Sequence, residues 1–531
     1  MTSGLADKLW DVVVIGTGIG GGTVGRRLAE KGLSVLFVEQ GPRGARDAGH
    51  SLADATRDPA ARLRNGFWPV PIPIRVQGRP REIVDSVGAG VGGTSVFYAA
   101  TLERPEPHDF DDTPERPHPT GGWPVSHAAF RPYLDEAERM YFVCGDADPL
   151  SAEATALGAP PRLSEGDAAL MKSFRRRGLN PYRMHLAVKD PDGCEECFGR
   201  KCPRACKMDG RSAGVDPALS TGRAALLEGC EVTALRGADG VVTHAEALCG
   251  GRRLRLRARL FVLAAGALGS PRLLLASASE RWPRGCANES GLVGRNLMFH
   301  LSELLAIWPE RPADFAGFSR TIAFRDLYHM EGQRFGMVQS LGLSVSFGNI
   351  LQTLNDRFDR SVLGKARPLR EFNRIPAMAA ARILGKARVF AAILEDLPYE
   401  GNRVFLDPGA GGAMRLIYDF PPEVLERRRR LRAALKRSIR GMRSLFLTTE
   451  PELNFGHPCG TLRFGDDPAK SVLDFACRAH ALRNLYVTDA SFMPTSTGVN
   501  PSLTTAANAL RVADLILADF AATASAATFA S

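Results

Sequence analysis

The sequence predicts an α/β fold in which a discontinuous Rossmann-like, dinucleotide-binding domain is joined to an α+β domain with an antiparallel sheet. Two observations indicate the first domain. Residues 12–39 have the pattern of a βαβ unit, and residues 260–274 return to a buried strand followed by a turn and a helix. The second domain is indicated by residues 300–450, which mix alternating, strand-like stretches with basic helical ones.

The composition limits the class of protein. The chain has 531 residues, of which 44% are hydrophobic and 24% are charged. These fractions exclude a disordered chain, a collagen-like repeat and a small disulfide scaffold. No apolar run approaches the roughly 18 residues of a membrane-spanning helix, and the N-terminus lacks the pattern of a secretory signal. We therefore expect a cytoplasmic protein with mostly reduced cysteines, and export to the periplasm with a partner subunit is the alternative.

The chain carries 68 basic and 58 acidic residues, a net charge of +10, and part of the excess is concentrated in two stretches. One runs from Arg427 to Arg443 and the other from Arg357 to Arg388. We interpret both as solvated helix faces, with peripheral contact to a membrane surface or to an acidic redox partner as the alternative. Nucleic acid is not an expected partner, because no base-stacking or groove-reading motif accompanies the charge.

The N-terminal βαβ unit contains a glycine turn of the kind that binds a dinucleotide. The apolar run Val12–Ile15 is typical of a buried parallel strand, and the turn GTGIGG follows it directly. Gly16 permits the tight turn, Gly18 lets the backbone approach a pyrophosphate, and Gly21 lets the next helix pack close to the sheet. Glu39 closes the second strand, where an acid is expected to accept hydrogen bonds from ribose hydroxyls.

Two further segments are predicted to contact the same ligand. A second glycine-rich loop spans residues 88–95 and contains Gly88, Gly92, Gly93, Thr94 and Ser95. So many glycines are costly in a regular element, and they suit a backbone that lies against a flat ligand; a flexible turn is the alternative. Val232 lies in a third nucleotide-related region, which leads to the buried strand at residues 260–266.

The C-terminal region contains the motifs GHPCGT at residues 456–461, TDAS at 488–491 and GVNPS at 498–502. Earlier in the chain stand GWP at 122–124, GALGSPRLL at 266–274 and GRNL at 294–297. Together with the two glycine loops, these ordered motifs resemble the glucose–methanol–choline (GMC) oxidoreductases, a family of FAD-dependent alcohol oxidases and dehydrogenases. The sequences of the two most C-terminal motifs, TDAS and GVNPS, are similar to those of the cholesterol oxidase branch of this family.

The resemblance implies a reaction and its catalytic residues. A primary or secondary alcohol would be oxidised to an aldehyde or ketone by hydride transfer to flavin N5, with electrons passed to oxygen or to an acceptor protein. His457 occupies the position of the family's catalytic histidine and is the expected general base. Asn500 occupies a position filled by His or Asn in relatives and is expected to orient the substrate oxygen. His300 is expected to be structural.

Other functions stay open at this stage. A redox-neutral flavoprotein, such as a lyase or an isomerase, is the first alternative to alcohol oxidation. A non-enzymatic electron-transfer or assembly subunit is the second. The sequence does not identify the alcohol, because specificity is set in the substrate domain, whose sequence contains no motif that indicates a particular substrate.

The resemblance also implies how FAD is held. Asp489, Ala490, Asn500 and Pro501 are expected to contact it, although Asp489 alone could equally be a helix cap. Relatives with covalently attached FAD carry a histidine in the second glycine loop. Here Phe97 corresponds to that histidine, so we expect noncovalent FAD. Tyr98 stands where many relatives have asparagine.

Four cysteines, Cys194, Cys197, Cys202 and Cys206, fall within 13 residues of the chain, 194–206. This density permits four thiolates to converge on a metal ion or an iron–sulfur cluster. Structural thiols or two disulfides are the alternatives. A cluster would favour a dehydrogenase that passes electrons to a partner over an oxidase.

The motifs divide the chain into six segments. These are a first FAD-binding segment at 1–125, an insertion with the cysteine cluster at 126–220, a second FAD-binding segment at 221–300, most of the substrate domain at 301–450, a C-terminal FAD-binding and active-site segment at 451–520, and a flexible tail at 521–531.

Overall fold

The computed structural model describes residues 2–46, 57–153, 155, 157–342, 350–351, 354–355, 358 and 367–529. Its helices are α1 Thr2–Asp7, α2 Ile19–Glu30, α3 Pro59–Asn65, α4 His127–Met140, α5 Glu165–Arg175, α6 Asp216–Ser220, α7 Gly266–Ala276, α8 Arg374–Leu384, α9 Pro422–Ser438 and α10 Ser502–Phe529. Within the described part of the chain, no helix has both the length and the apolarity needed to span a bilayer.

The strands form two large sheets and three smaller ones. They are β1 Leu9–Ile15, β2 Val35–Val38, β3 Ile72–Val76, β4 Arg79–Ile83, β5 Val143–Cys144, β6 Tyr182–Arg183, β7 Leu186–Ala187, β8 Ala224–Leu227, β9 Cys230–Ala238, β10 Val241–Cys249, β11 Arg252–Leu263, β12 Met298–Ile307, β13 Ile322–Phe324, β14 His329–Met330, β15 Gln333–Arg334, β16 Val338–Ser340, β17 Arg388–Leu394, β18 Arg403–Asp407, β19 Ala413–Tyr418, β20 Ser444–Phe446, β21 Leu453–Cys459 and β22 Leu485–Val487.

The first large sheet is assembled from distant parts of the chain, as the sequence predicts. Its strands run in the order β8-β2-β1-β11-β10-β9, and β22 also pairs with β11. The strands β8, β2, β1, β11 and β22 are parallel, so that their carboxyl ends meet at one edge of the sheet. The segment Val12–Ile15 is at most 4% exposed, which agrees with its continuous apolar sequence.

The second large sheet is antiparallel and confirms the predicted second domain. Its order is β20-β12-β17-β16-β13-β6, with β21 also paired to β12. Helix α9 packs on it through buried Val424, Leu431 and Leu435. Since β12 and β21 are neighbours, the sheet brings the segments around residues 300 and 457 together.

A four-stranded sheet, β18-β19-β3-β4, is formed in part by residues 72–83, for which the sequence predicted no strands. Ile72, Ile74 and Val76 alternate with more exposed residues, and this period of two is the signal in the sequence that indicates a strand.

The C-terminal end also differs from its prediction. Helix α10 extends to Phe529, through most of the segment expected to be a flexible tail, because alanine-rich sequence strongly favours a helix.

The first basic stretch is only partly a solvated face. Arg429 and Arg430 pair with Glu426 at the surface, as expected. In contrast, Arg428 and Arg432 both bind the carboxylate of Glu303 on β12, which is only 2% exposed. These two arginines therefore attach α9 to the sheet, since a buried carboxylate needs charged partners.

The second basic stretch is described only in part, because Arg357 and Lys365 lie outside the described residues. Arg388, at the end of this stretch, is buried and binds Asp167 through two hydrogen bonds of 2.7 and 2.6 Å.

The cysteines agree largely with the prediction of reduced thiols, as eight of the ten are free. The exception is a disulfide between Cys230 on β9 and Cys249 on β10.

Candidate active site

An elongated groove lies at the carboxyl edge of the parallel strands. Most of the residues predicted to bind the cofactor line it: Gly16, Gly18, Glu39, Gly88, Gly93, Thr94, Ser95, Val232, Asp489, Ala490 and Pro501. Gly21, Gly92 and Asn500 are absent from the lining. Trp68 and Arg272 also line the groove and were not predicted from the sequence.

The first glycine turn has the geometry that its sequence predicts. Gly16 has φ +98°, and a Cβ there would lie 2.4 Å from Ala264 O on the neighbouring strand. A Cβ on Gly21 would lie 2.1 Å from Gly16 O, so close packing of α2 requires glycine. A Cβ on Gly18 would meet no protein atom within 4 Å. Gly18 therefore faces open space in the groove, as expected for a backbone that a pyrophosphate approaches.

Glu39, at the end of β2, is bound to the glycine turn. Its Oε2 accepts hydrogen bonds from Thr17 N at 3.1 Å and from Thr17 Oγ1 at 2.6 Å. Burial raises the pKa of Glu39 to about 7. The side chain is thus fixed in orientation at the position where a ribose hydroxyl is expected, and Thr17 is a positioning residue that the sequence did not reveal.

The second glycine loop is braced by its own side chains, which argues against a flexible turn. Ser95 Oγ donates to Gly92 O at 2.6 Å and accepts from Gly210 N at 2.9 Å. Thr94 Oγ1 accepts from Gly88 N at 3.0 Å. Gly92 has φ +102°, a conformation that side-chain-bearing residues rarely adopt. The loop therefore presents a preformed backbone surface to the groove.

Asp489 both caps a turn and connects two segments of the domain. Its Oδ1 accepts from Ser491 N at 2.9 Å, which is the predicted cap, and its Oδ2 accepts from Gly266 N at 3.0 Å and from Ser270 Oγ. Burial raises the pKa of Asp489. The carboxylate thereby holds the start of α7 beside Ala490, and both segments line the groove.

Phe97 and Tyr98 follow the second glycine loop but point in different directions. Phe97 is 3% exposed and stacks on Phe67, with ring centroids 4.5 Å apart. Tyr98 lines the groove, and its hydroxyl donates to Met208 O. Phe97 is therefore part of the core behind the loop.

The two predicted catalytic residues come together at one end of the groove. His457 lies on β21 between Gly456 and Pro458, which line the groove, and Asn500 immediately precedes Pro501. Asn500 Nδ2 lies 3.5 Å from His457 Nε2. Asn500 is 6% exposed, and its Oδ1 has no hydrogen-bond partner in the described part of the chain. A buried amide with an unused acceptor indicates a place for a bound polar group.

A second histidine, His300 on β12, contacts His457. The two Nδ1 atoms are 2.8 Å apart, and the rings are nearly perpendicular, at 89°. His300 Nε2 lies 3.0 Å from Thr497 O and 3.2 Å from Ser496 O. Burial lowers the pKa of His300, and burial together with repulsion from His300 lowers that of His457. Both imidazoles are therefore neutral near pH 7.

The cysteine cluster does not form the predicted metal or iron–sulfur centre. Cys197, Cys202 and Cys206 are buried together, with Cys202 Sγ 3.5 Å from Cys206 Sγ. Among the described residues, which include all four cysteines, no three histidine, cysteine or acidic side chains are arranged to hold a metal ion.

The thiol chemistry agrees with this correction. Burial raises the pKa of Cys197 and raises that of Cys206 to about 12, which disfavours the thiolates that metals bind. The pKa of Cys202 is lowered, because hydrogen bonds from the backbone of Lys207 and from Cys206 and Cys197 together outweigh the effect of burial. The alternative of structural thiols therefore fits the cluster.

The folded chain thus combines a Rossmann-type domain that has a phosphate-binding glycine turn with a sheet-rich domain that contributes a histidine. GMC oxidoreductase family models match residues 12–302 and 429–509. The chain belongs to the GMC oxidoreductases, which confirms the resemblance drawn from its motifs. Its fold is that of the family, an FAD-binding Rossmann-type domain with a sheet-rich substrate domain.

Several characterised proteins are similar to this chain over nearly its whole length. Paromamine 6'-oxidase of Streptomyces fradiae is 32% identical over 97% of this chain and 92% of its own. 6'''-Hydroxyparomomycin C oxidase of Streptomyces lividus is 32% identical, over 98% and 93% respectively. Among solved structures, pyridoxine 4-oxidase from Mesorbium loti superposes with a TM-score of 0.62 at 21% identity, over 95% of this chain and 99% of its own. That structural likeness supports the shared fold.

Proposed function

We propose that this protein oxidises a primary or secondary alcohol to an aldehyde or ketone with noncovalent FAD. The observation that carries the proposal is the pairing of His457 with Asn500 at the end of the groove, in a chain of the GMC family. In this proposal residues 1–125, 221–300 and 451–520 bind FAD, and residues 301–450 form most of the substrate domain.

The residues of the groove fit FAD. The turn Gly16–Gly21 at the N-terminus of α2 would hold the pyrophosphate, Glu39 a ribose, and the loop 88–95 the flat ring. Open space above Gly18 supports this placement, because a phosphate needs close approach to the backbone there. Attachment is noncovalent in this proposal, since Phe97 is buried against Phe67 and the loop has no histidine.

The chain's own residues would bind the alcohol and remove its hydroxyl proton. When bound, FAD supplies the acceptor for the hydride that leaves the alcohol carbon. His457 is neutral near pH 7, so one of its ring nitrogens is free to accept a proton, as a general base requires. Asn500 would hold the substrate oxygen through its buried amide, which has hydrogen-bonding capacity to spare.

The relatives suggest which alcohols to test first. Two of them, at 32% identity, are named as oxidases of paromamine and hydroxyparomomycin C. More distant ones are named for 2-methyl-1,2-propanediol, fructose and choline. The TDAS and GVNPS motifs add a sterol as a further candidate.

Anaerobic absorption spectra of the FAD-loaded protein test the proposal. An alcohol that is a substrate should bleach the flavin bands, and His457→Ala should slow the bleaching by orders of magnitude while FAD remains bound. Turnover with a flavin that stays oxidised would instead establish the lyase or isomerase alternative. Failure of the folded protein to bind FAD would contradict the proposal. Readmitting either oxygen or an artificial acceptor then distinguishes an oxidase from a dehydrogenase that needs an acceptor protein.

Peripheral membrane contact is supported by the exposed face of α8 and the turn before it. Phe372, Ile375 and Met378 are 60–65% exposed, and basic Arg382 and Lys386, which are also exposed, follow in the sequence. Apolar side chains interleaved with basic ones suit an anionic bilayer surface. Co-sedimentation with vesicles of zwitterionic lipid, with and without anionic lipid, tests the contact, and Ile375→Ser with Met378→Ser should weaken it. Equal recovery of all samples in the supernatant would exclude it.

A further inference from the structure

The contacts around His300 determine where its proton lies. In the described part of the chain, its Nε2 is within hydrogen-bond distance of two backbone carbonyl oxygens, those of Ser496 and Thr497, and a carbonyl can only accept a hydrogen bond. Nε2 must therefore carry the proton. A neutral imidazole has one N–H, so Nδ1 of His300 is left as an acceptor. Burial, which lowers the pKa of His300, supports the neutral form.

The position of the proton on His300 determines which ring nitrogen of His457 carries a proton. The 2.8 Å contact between the two Nδ1 atoms needs one hydrogen, and His300 cannot supply it. His457 must then carry its proton on Nδ1, which leaves Nε2 with a free lone pair. Nε2 is the nitrogen that faces Asn500, 3.5 Å away.

We propose that His300 is a positioning residue that holds His457 in the Nδ1–H tautomer, with Nε2 free to accept a proton. The inference deepens the proposed function and rests on it, because the free Nε2 matters only if His457 is the base. After Nε2 takes the hydroxyl proton, the Nδ1–H of the imidazolium still points at the bare Nδ1 of His300, so this hydrogen bond is kept in both protonation states of His457.

The carbonyls that orient His300 are themselves held in place. Thr497 has φ +59°, an outlier for a β-branched residue, and this backbone conformation occurs where its carbonyl meets Nε2. Gly498 N donates to Tyr328 Oη at 2.9 Å, and Asp396 N donates to Ser496 Oγ at 2.8 Å. The loop therefore presents a fixed pair of acceptors to His300.

One contact favours the opposite tautomer. Asn454 Nδ2 lies 3.3 Å from His457 Nδ1, and its Oδ1 is occupied by Gly456 N at 3.1 Å. If Asn454 were the true donor, His457 would carry its proton on Nε2 and His300 would have to be a buried cation. The shorter contact to His300 and the low pKa of that residue decide against this arrangement.

The first test reads the tautomers directly. Side-chain ¹⁵N-labelled histidine in the FAD-loaded protein gives distinct two-bond correlations for protonated and unprotonated ring nitrogens, and spectra of His300→Asn and His457→Asn assign the signals. We expect Nδ1–H with bare Nε2 for His457 and the reverse for His300. Nε2–H on His457, or two protons on His300, would overturn the inference whatever the activity.

The second test measures anaerobic flavin reduction by a substrate alcohol. His300→Leu should slow it about 10- to 100-fold with little change in the substrate concentration at half-saturation, and should give His457 a mixture of tautomers. His300→Asn keeps an oxygen acceptor near the Nδ1 position and should recover most of the rate. His118→Leu is the control, since His118 is also buried with Nε2 3.2 Å from a backbone carbonyl, that of Asp109.

The outcomes separate the two proposals. If the native protein oxidises alcohols but His300→Leu is as fast and keeps the Nδ1–H signal, His300 has no positioning role and the proposed function stands. If no alcohol reduces the flavin of the native protein, the proposed function fails, and the ¹⁵N spectra still decide the tautomer. A His300→Leu rate no lower than that of His118→Leu also counts against the inference.

Discussion

The hydroxyl of Thr17 joins the first glycine turn both to Glu39 and to Gly92 of the second glycine loop. Thr17 Oγ1 donates to Glu39 Oε2 at 2.6 Å and accepts from Gly92 N at 3.1 Å. A residue with no expected role thus fixes the acid proposed for the ribose and the loop proposed for the flat ring. Because all three groups are buried, each hydrogen bond is costly to leave unmade.

Thr17→Val should weaken FAD binding. Valine has the same shape but removes both hydrogen bonds, so Glu39 loses a donor and Gly92 N loses its acceptor. We expect the dissociation constant for FAD to rise about tenfold, as one or two buried hydrogen bonds are worth. Titration of the apoprotein with FAD measures this. Thr23→Val is the control, because Thr23 lies on α2, after the turn, and its Oγ1 pairs with Tyr141 Oη. Equal weakening in the two variants would show a general effect on the helix.

Two substitutions in the first glycine turn should distinguish its role in FAD binding from its role in folding. Gly18→Ala places a methyl group in open space in the groove, so it should weaken FAD binding while the thermal midpoint of the apoprotein changes little. Gly21→Ala places the methyl group 2.1 Å from Gly16 O and should lower that midpoint by several degrees. The pair is measured by FAD titration and calorimetry. Unaltered FAD affinity in Gly18→Ala would move the phosphate site away from this turn.

The parallel core and its ligand-binding edge could be predicted because local sequence determines them. An unbroken apolar run such as Val12–Ile15 must be buried on both faces, and a glycine turn after it has few other uses. The second domain, with its antiparallel sheet, was predicted from stretches in which apolar and polar residues alternate. The hairpin Ile72–Ile83 was missed because many charged residues and prolines obscured its alternation, and the end of α10 was missed because a small-residue composition suggests fraying and helix equally.

The site was predicted less completely, because its supporting contacts are distant in sequence. The family motifs located His457 and Asn500, but nothing local shows that His300, 157 positions before His457, contacts its ring. The role of Thr17 depends likewise on Glu39 and Gly92. The cysteine segment shows the reverse error: close spacing permitted a metal site, and the folded arrangement of the thiols does not provide one.

The purified protein should contain no stoichiometric iron or zinc. Two of the four clustered thiols have raised pKa values, and the described structure shows no group arranged for a metal. Elemental analysis of the FAD-loaded protein checks this, and its absorption spectrum should show flavin bands alone. Cys202→Ser should lower stability by about 1 kcal/mol, as expected for a polar replacement of a buried thiol, without changing the spectrum. A stoichiometric metal that Cys202→Ser removes would restore the metal-centre hypothesis.

The two catalytic candidates should affect different constants. His457→Ala removes the proposed base and should reduce the rate of flavin reduction about 10²- to 10⁴-fold. Asn500→Ala removes a substrate contact and should raise KM as well as lower kcat. FAD content should be unchanged in both, since neither side chain lines the groove. His244→Ala, on β10 of the first sheet, controls for the loss of a histidine. A rate within threefold of native for His457→Ala would remove His457 as the base.

The burial of Asp396 makes the stability of the folded protein depend on pH. Burial raises its pKa from 3.8 to about 7, against the lowering effect of bonds from Phe299 N at 3.0 Å and Tyr418 Oη at 2.7 Å. Between those two pH values the folded protein holds a proton that the unfolded chain has released. The free energy of unfolding therefore falls as pH rises through this window, by roughly 4 kcal/mol from this residue, and stays at the lower value above it. Asp396→Asn cannot ionise, so its stability should fall less between pH 5 and pH 8 than that of the native protein when both are unfolded by urea. Tyr418→Phe removes a bond that lowers the pKa and should extend the native fall to higher pH; identical pH dependence in Asp396→Asn and native protein would show that Asp396 ionises normally in the folded state.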